Sequence, residues 1–179
     1  EGPAMRVALE DARRFVDGSQ RRWDWIYCDT YIGRAVPFHL ATREFFELLR
    51  SHLAPGGAIG LNLAGSIDHP FSRSIYRTLS HVFNRVEIFS IAASGNFILI
   101  AHMGPAISAS ELAERAARLD RAASAESGGP RFAALARHRL GVELDLASVP
   151  VLEDGYAPVD ALLNLSDESA APLGAAAGE

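Results

Sequence analysis

Apolar and polar positions along this chain switch between a strand period and a helix period, and the switches predict an α/β protein. Trp23 to Cys28 is a run of mostly aromatic and β-branched residues, long enough for one strand and too short for a helix, and it reads as a buried strand. After Asp29 comes a loop containing Gly33 and Pro37. An apolar stripe at helical spacing follows through Phe45, Phe46, Leu48, Leu49 and Leu53, closed by the turn Ala54-Pro55-Gly56-Gly57. A second apolar run, Ala58 to Leu63, begins at once, so the two strands are most simply parallel neighbours joined by a crossover. That arrangement places Asp29 on the carboxyl edge of a parallel sheet, where α/β proteins put their chemistry.

Further along, Phe71, Ile75, Leu79, Val82 and Phe83 share one helical face, with Pro70 suited to the first turn. Val86 to Ile91 and Phe97 to Ala101 are two more apolar runs. The link between them, 92–96, is too short for a helix, and an antiparallel hairpin at the sheet edge is expected. Ser108 and Glu111 have capping-box spacing before an alanine-rich helix to about Ala123. Ser124 to Gly129 reads as a flexible loop, Pro130 to Leu140 as a short helix ended by Gly141, and 166–179 as a disordered tail. At the other end, Arg6 to Leu9 has the pattern of a strand, and Glu10 to Val16 that of a turn entering a short helix, which makes Asp11 a second strand-end carboxylate.

Composition narrows the chemistry. The chain has 179 residues, 49% of them hydrophobic, enough for one sizeable core. A net charge of -5 gives no basic stripe, so no nucleic-acid partner is expected. No apolar run approaches a membrane span, and no membrane contact by this segment is expected. All 17 basic side chains are arginine, which removes lysine Schiff-base chemistry and a phosphate-loop lysine. The single cysteine, Cys28, excludes an internal disulfide and suits a reducing cytoplasm. Alternation turns it away from Asp29, so it reads as a buried apolar residue. The six histidines do not pair at ligand spacing, and no metal is predicted. The serines lack a nucleophile elbow, and no glycine-rich nucleoside loop occurs anywhere.

What remains is a pair of acids. Asp29 is either a cap for the loop or helix that follows or a site residue, and Asp11 either caps its helix or faces a ligand. Tyr31 lines a pocket or lies exposed on a loop. His39 stands near the site or satisfies local hydrogen bonds. Glu153, Asp154 and Asp160 form an acidic cluster that either attracts cations or is a solvated loop.

Several strings in this order resemble the spermidine synthase family, and especially the spermidine-synthase-like domains that some bacteria fuse to transporter segments. They are Asp11-Ala12-Arg13-Arg14-Phe15, the strand ending at Asp29, Val36-Pro37-Phe38-His39-Leu40-Ala41-Thr42-Arg43-Glu44-Phe45-Phe46, Leu53 to Gly57, and Glu153-Asp154-Gly155-Tyr156-Ala157-Pro158-Val159-Asp160. The resemblance implies a class I methyltransferase-like Rossmann sheet over 1–103, lacking its first two strands and ending in an antiparallel hairpin. A helical extension over 104–165 would pack on the same domain. Strands one and two, with the glycine-rich loop and a ribose-binding acid, would lie upstream of Glu1. Residues 5–9 would then lack their usual neighbours and be displaced or weakly ordered.

The resemblance also implies roles. Asp29 would be catalytic, accepting a proton from an amine and lying near the sulfonium of decarboxylated S-adenosylmethionine. Asp11, Ala12, Asp29 and Thr30 would hold that co-substrate, and Tyr31, Pro37 and His39 would line the small-molecule amine. A homodimer is possible for such a domain. The sequence departs from the family at Arg34, since Tyr31-Ile32-Gly33-Arg34 offers no second acid for a cationic amine. Three classes stay open: an aminopropyltransferase-like enzyme, an S-adenosylmethionine-dependent methyltransferase, and a degenerate domain that binds a partner.

Overall fold

The computed structural model describes residues 5–30, 36–91, 95–123 and 131–164. Helix α1 (Ala12–Asp17) leads into strand β1 (Trp23–Cys28), and a 3-10 turn at Phe38–Leu40 precedes helix α2 (Arg43–Ser51). Strand β2 (Leu53–Ala64), helix α3 (Pro70–Val82), and strands β3 (Arg85–Ile91) and β4 (Asn96–His102) follow. Helices α4 (Ala109–Ala123) and α5 (Phe132–Ala136), a two-residue strand β5 (Arg139–Leu140) and helix α6 (Val159–Asn164) complete the described chain.

The five strands form one mixed sheet in the order β1-β2-β4-β3-β5. β1 and β2 are parallel, as the crossover pattern predicts, with Cys28 opposite Leu61. The hairpin of β3 and β4 forms in antiparallel register, but it does not simply extend the edge. Its second strand, β4, inserts against β2, placing Leu99 opposite Leu61, so β3 lies outside β4. β4 is therefore an inner strand, which suits the near-continuous apolar sequence Phe97 to Ala101. The predicted helix over Pro130 to Leu140 is split. Only Phe132–Ala136 is helical, and Arg139–Leu140 pairs with Phe89 and Ile88 on β3.

Burial follows strand parity. Ile59, Leu61 and Leu63 of β2 and Phe97, Leu99 and Ala101 of β4 are buried. They share one core with Phe45, Phe46 and Leu49 of α2 and with Phe71, Ile75, Leu79 and Val82 of α3. Their alternates on β4, including Ile98 and Ile100, are half-exposed. β1 differs from the fully buried strand its composition predicts. It is the first strand of the sheet, and Trp25 and Tyr27 are 48% and 53% exposed. The physical reason is position, because an aromatic run is buried on both faces only where another layer covers it.

Residues 5–9, with their strand-like pattern, form no strand. Val7 and Leu9 are exposed, since no described strand runs beside them to pair with. Asp11 consequently stands at a helix start rather than at a strand end. The tail 166–179 and the loop 124–129 lie outside the described residues.

The Pro55-Gly56-Gly57 string, read as a turn, lies within β2 as an irregularity. Trp23 pairs with Leu53 but Trp25 already pairs with Ala58, so Ala54 to Gly57 are accommodated as a bulge. Gly56 takes φ +81, which only glycine adopts freely. A Cβ on Gly57 would meet the carbonyl oxygens of Ala54, Trp23 and Asp24 at 3.0, 3.0 and 3.1 Å.

The segment from Asp145 to Asp154 has almost no regular structure, yet its backbone is satisfied by side chains of the helices it crosses. Arg73 donates to the Asp145 carbonyl, and Arg77 donates to the carbonyls of Leu146 and Val149. The Leu152 amide donates to the buried Thr78 hydroxyl at 2.9 Å, and the Leu152 carbonyl accepts from the Arg43 amide at 2.8 Å. Leu152 itself is fully buried. The strap ends in a polar clamp. Arg13 grips Asp154 with two hydrogen bonds of 2.7 and 2.6 Å, the Thr42 hydroxyl donates to the same carboxylate at 2.8 Å, and the Asp154 amide donates to Glu44. Arg43 pairs with Glu153 at 2.9 Å. Helix α6 then packs against α3.

Two outcomes follow from these contacts. Gly57→Ala, whose Cβ has backbone on three sides, should lower unfolding free energy by about 1–3 kcal/mol in urea titration. Asp154→Asn, losing one charge from a largely solvated clamp, should cost about 1 kcal/mol. The Arg13 guanidinium first, and the Thr42 hydroxyl with it, hold the Asp154 carboxyl below its ordinary 3.8. A depressed carboxylate stabilises the fold fully above its unfolded value and loses that contribution as pH falls through the folded one. The gap between wild type and Asp154→Asn, measured by denaturation at a series of pH values, should therefore be constant above pH about 5 and shrink below about 4.

Candidate functional site

Parallel pairing of β1 and β2 brings two polar residues together at the carboxyl ends of the strands. Cys28 lies opposite Leu61, so the next residue, Asp29, comes level with Asn62. The Asn62 Nδ2 donates to Asp29 Oδ1 at 3.1 Å. A third side chain joins from β4, where the Asn96 Nδ2 donates to Asn62 Oδ1 at 3.1 Å. Asp29 is exposed, and its Oδ2 accepts no hydrogen bond from the described residues. One of the two readings of Asp29, a cap for the helix that follows, does not describe α2, which is capped by Thr42. Among the described residues, the carboxylate is presented at a strand end with one oxygen held and one open.

Asn62 and Asn96 were not singled out as candidates from the sequence. Asn62 had a legible signal, since it is a polar residue inside the apolar run Ala58 to Leu63 and asparagine is disfavoured in strands. Asn96 had none, because it follows Gly95 in what reads as a turn.

Beside Asp29 the chemistry is quiet. Cys28 is buried, and burial pushes its thiol up to about 12, so it is not a nucleophile. Tyr27 is on the same side of β1 as Asp29; partial desolvation and then the Asp29 charge raise its phenol. Thr30 is half-buried directly beyond Asp29. Tyr31 and Arg34 lie outside the described residues.

Asp11 has a different environment. Its Oδ1 accepts from the Arg14 amide at 3.0 Å and caps α1, with Ala12 as the first helical residue. Its Oδ2 lies 2.7 Å from His39 Nε2. The Arg14 amide, followed by the His39 ring, holds the Asp11 carboxyl below the ordinary 3.8. His39 is therefore tied to Asp11, and its own carbonyl accepts from Arg13 at 3.3 Å. No described contact joins Asp11 to Asp29. Pro37 lies elsewhere again, lining a cleft of about 380 Å³ with Val36, Phe38, Ala157, Pro158 and Asp160.

The acidic cluster read from the sequence is largely neutralised. Glu153 and Asp154 are paired with Arg43 and Arg13, so of the three acids Asp160 alone faces the Pro37 cleft. Among the described residues, no three metal-ligating side chains converge and no helix is long and apolar enough to cross a membrane.

A nucleoside co-substrate fits these residues only in part. The Asp29 face has an open carboxylate oxygen for a cationic group. Asp11, which the family resemblance places against the co-substrate, has both oxygens engaged, so a ligand donor there would have to displace His39 or share Oδ2 with it.

No family model matches the chain. A probable polyamine aminopropyl transferase of Bifidobacterium longum is 33% identical over 75 residues, covering 38% of this chain and 17% of that protein. Polyamine aminopropyltransferase 2 of Pseudomonas aeruginosa is 30% identical over 109 residues, 55% of this chain and 31% of that protein. An N-terminal histidine N-methyltransferase of Emericella nidulans is 34% identical over 91 residues, 48% of this chain and 16% of that protein. The matched stretch thus spans less than a third of each of these relatives. Among solved structures, human methyltransferase-like protein 13 in complex with SAH superimposes with a TM-score of 0.60 at 24% identity, covering 70% of this chain and 62% of that one. A probable spermidine synthase from Corynebacterium glutamicum does so with a TM-score of 0.54 at 23% identity, covering 82% and 55%. The mixed sheet with an inserted antiparallel strand is that of the class I methyltransferase and spermidine synthase folds, and part of the chain is similar in sequence to polyamine aminopropyltransferases.

Proposed function

We propose that this chain carries the amine-activating carboxylate of an aminopropyltransferase, which moves an aminopropyl group from decarboxylated S-adenosylmethionine to a small amine. The observation that supports this reading is Asp29, presented at the carboxyl end of β1 with one oxygen held by Asn62 and the other open among the described residues. The sequence similarity to polyamine aminopropyltransferases supports it independently.

An alkylamine attacks carbon only as the free base, and most of it is protonated near neutral pH. Asp29 would hold the amine by a hydrogen bond to its open oxygen and take up the proton that the nitrogen sheds as the new C–N bond forms. The C–S electron pair returns to sulfur, so charge balances with neutral 5'-methylthioadenosine as the leaving group. The same carboxylate, close to the sulfonium, would favour binding of a cation. The described residues would supply this half of the reaction. Asp11, Ala12 and Thr30 are proposed for the nucleoside side, and Pro37, with Asp160 beside it, for the amine side.

A second reading, methyl transfer from S-adenosylmethionine, is favoured by the SAH-bound methyltransferase neighbour and the N-methyltransferase relative. Transfer assays on the purified chain with decarboxylated S-adenosylmethionine and putrescine, run beside S-adenosylmethionine, separate the two. Where aminopropyl transfer is found, Asp29→Asn should lower it at least about a hundredfold, as loss of a positioned base does. Methyl transfer alone would move the assignment to a methyltransferase. Neither activity, together with no calorimetric binding of 5'-methylthioadenosine by folded protein, would support a non-catalytic, partner-binding domain.

A further inference from the structure

We propose that Asn62 and Asn96 are positioning residues, a two-amide relay that locks Asp29 in one rotamer and aims its open oxygen at the amine. The inference rests on the aminopropyltransferase reading for its purpose, but its physical content concerns the Asp29 side chain alone.

The polarity of the relay is dictated by its acceptor. An ionised carboxylate only accepts hydrogen bonds, so Asn62 must turn its NH2 group toward Asp29, as observed at 3.1 Å. That choice points the Asn62 carbonyl the other way, where it needs a donor. Asn96 supplies one, its Nδ2 lying 3.1 Å from Asn62 Oδ1. Each amide is thus committed to one of its two flips, and the order Asn96 to Asn62 to Asp29 runs across three strands.

The backbone makes such a relay rigid. Asn62 lies opposite Ile98 and Asn96 opposite Ala64, so the two asparagines are diagonal neighbours on one face of an antiparallel pair, within reach of long side chains. Asn96 begins β4 directly after Gly95, whose φ of +68 suits a tight turn. The Gly95 carbonyl accepts from the Gly65 amide at 3.2 Å, which fastens the hairpin turn to the end of β2. Both asparagines are half-buried, whereas Asp29 is exposed. An exposed aspartate left to itself samples several staggered χ1 wells. Holding one oxygen from a half-buried, sheet-anchored amide selects one well and leaves the other oxygen for the ligand. Misplacement of a reacting group by about 1 Å can cost on the order of a hundredfold in rate, so this selection bears on turnover rather than on binding.

The test is the χ1 distribution of Asp29, read by NMR from the three-bond couplings of its Cγ to the backbone nitrogen and carbonyl carbon. Single-rotamer couplings are expected in the unmodified chain and averaged couplings in Asn62→Leu and Asn96→Ala, each first shown to be folded by its amide spectrum. If Asp29 keeps single-rotamer couplings in both variants, or is already averaged in the unmodified chain, the relay is overturned. Kinetics supply the second arm. Where the chain transfers aminopropyl groups, Asn96→Ala should lower kcat about tenfold and leave the amine KM within about twofold; an unchanged kcat overturns the positioning role. Absence of transfer by an unmodified chain that binds 5'-methylthioadenosine counts against the aminopropyltransferase reading, while the couplings still decide the relay.

Discussion

The register of β1 against β2 is the constraint from which the candidate chemistry of this protein is built. A strand alternates its side chains with a period of two, so a slip of one residue would turn Asp29 to the opposite face and remove it from Asn62. The register is set by the bulge at Ala54 to Gly57, where β2 takes up three more residues than β1 between the Trp23 and Trp25 pairings. Gly56 supplies the positive φ and Gly57 fits where three carbonyl oxygens leave no room for a side chain. Downstream of that bulge the pairing is regular, and Trp25, Tyr27 and Asp29 are delivered in step with Ala58, Gly60 and Asn62. Gly60 contributes too, since its missing Cβ is the space into which the Trp25 ring packs. The glycines of this strand thus act at a distance from the carboxylate they position.

Parts of the other strings that resemble family motifs converge on structure rather than on the Asp29 carboxylate. Arg13, Thr42, Arg43 and Glu44 meet Glu153 and Asp154 in one clamp that ties α1, the start of α2 and the strap over α3 together. A chain segment more than 100 residues away in sequence is held there by charge-assisted hydrogen bonds, while Leu152 fills the core beneath it. Shared sequence strings carry no label saying whether they hold a ligand or hold the fold. Here the geometry makes the distinction: every carboxylate in the clamp is matched by a guanidinium, a hydroxyl or an amide.

Legibility in the sequence followed the reach of each interaction. The helices carrying Phe45, Phe46 and Leu49 or Phe71, Ile75 and Leu79, and the four long strands, were readable because periodicity is local. The insertion of β4 between β2 and β3 was not, since which edge a hairpin joins depends on the whole sheet. β1 read as buried because its aromatic composition says nothing about its place at the end of the sheet. The strap from Asp145 to Asp154 has no periodic pattern at all, because its hydrogen bonds are made by Arg73, Arg77 and Thr78 rather than by a neighbour at fixed spacing. For the candidate site, Asp29 was evident from its strand end, and Asn62 was detectable as an interruption in an apolar run. Asn96 required the antiparallel register, which only the fold supplies.

Asp11 and Asp29 show how one residue type meets two different surroundings. Asp11 accepts a backbone amide on one oxygen and faces His39 with the other, so both oxygens are occupied and its carboxyl is held below the ordinary range. A carboxylate so engaged is a poor base and a committed structural acceptor. Among the described residues, Asp29 is bound on one oxygen, by a neutral amide, and that amide is itself oriented by another neutral amide. Neutral donors fix direction through weaker hydrogen bonds than an arginine would make. The contrast with the clamp is informative, because this chain has 17 arginines and places none of the described ones on Asp29. Under the proposed reading, a carboxylate that exchanges a proton with an amine has to be held without being neutralised, and the two asparagines would separate those two demands.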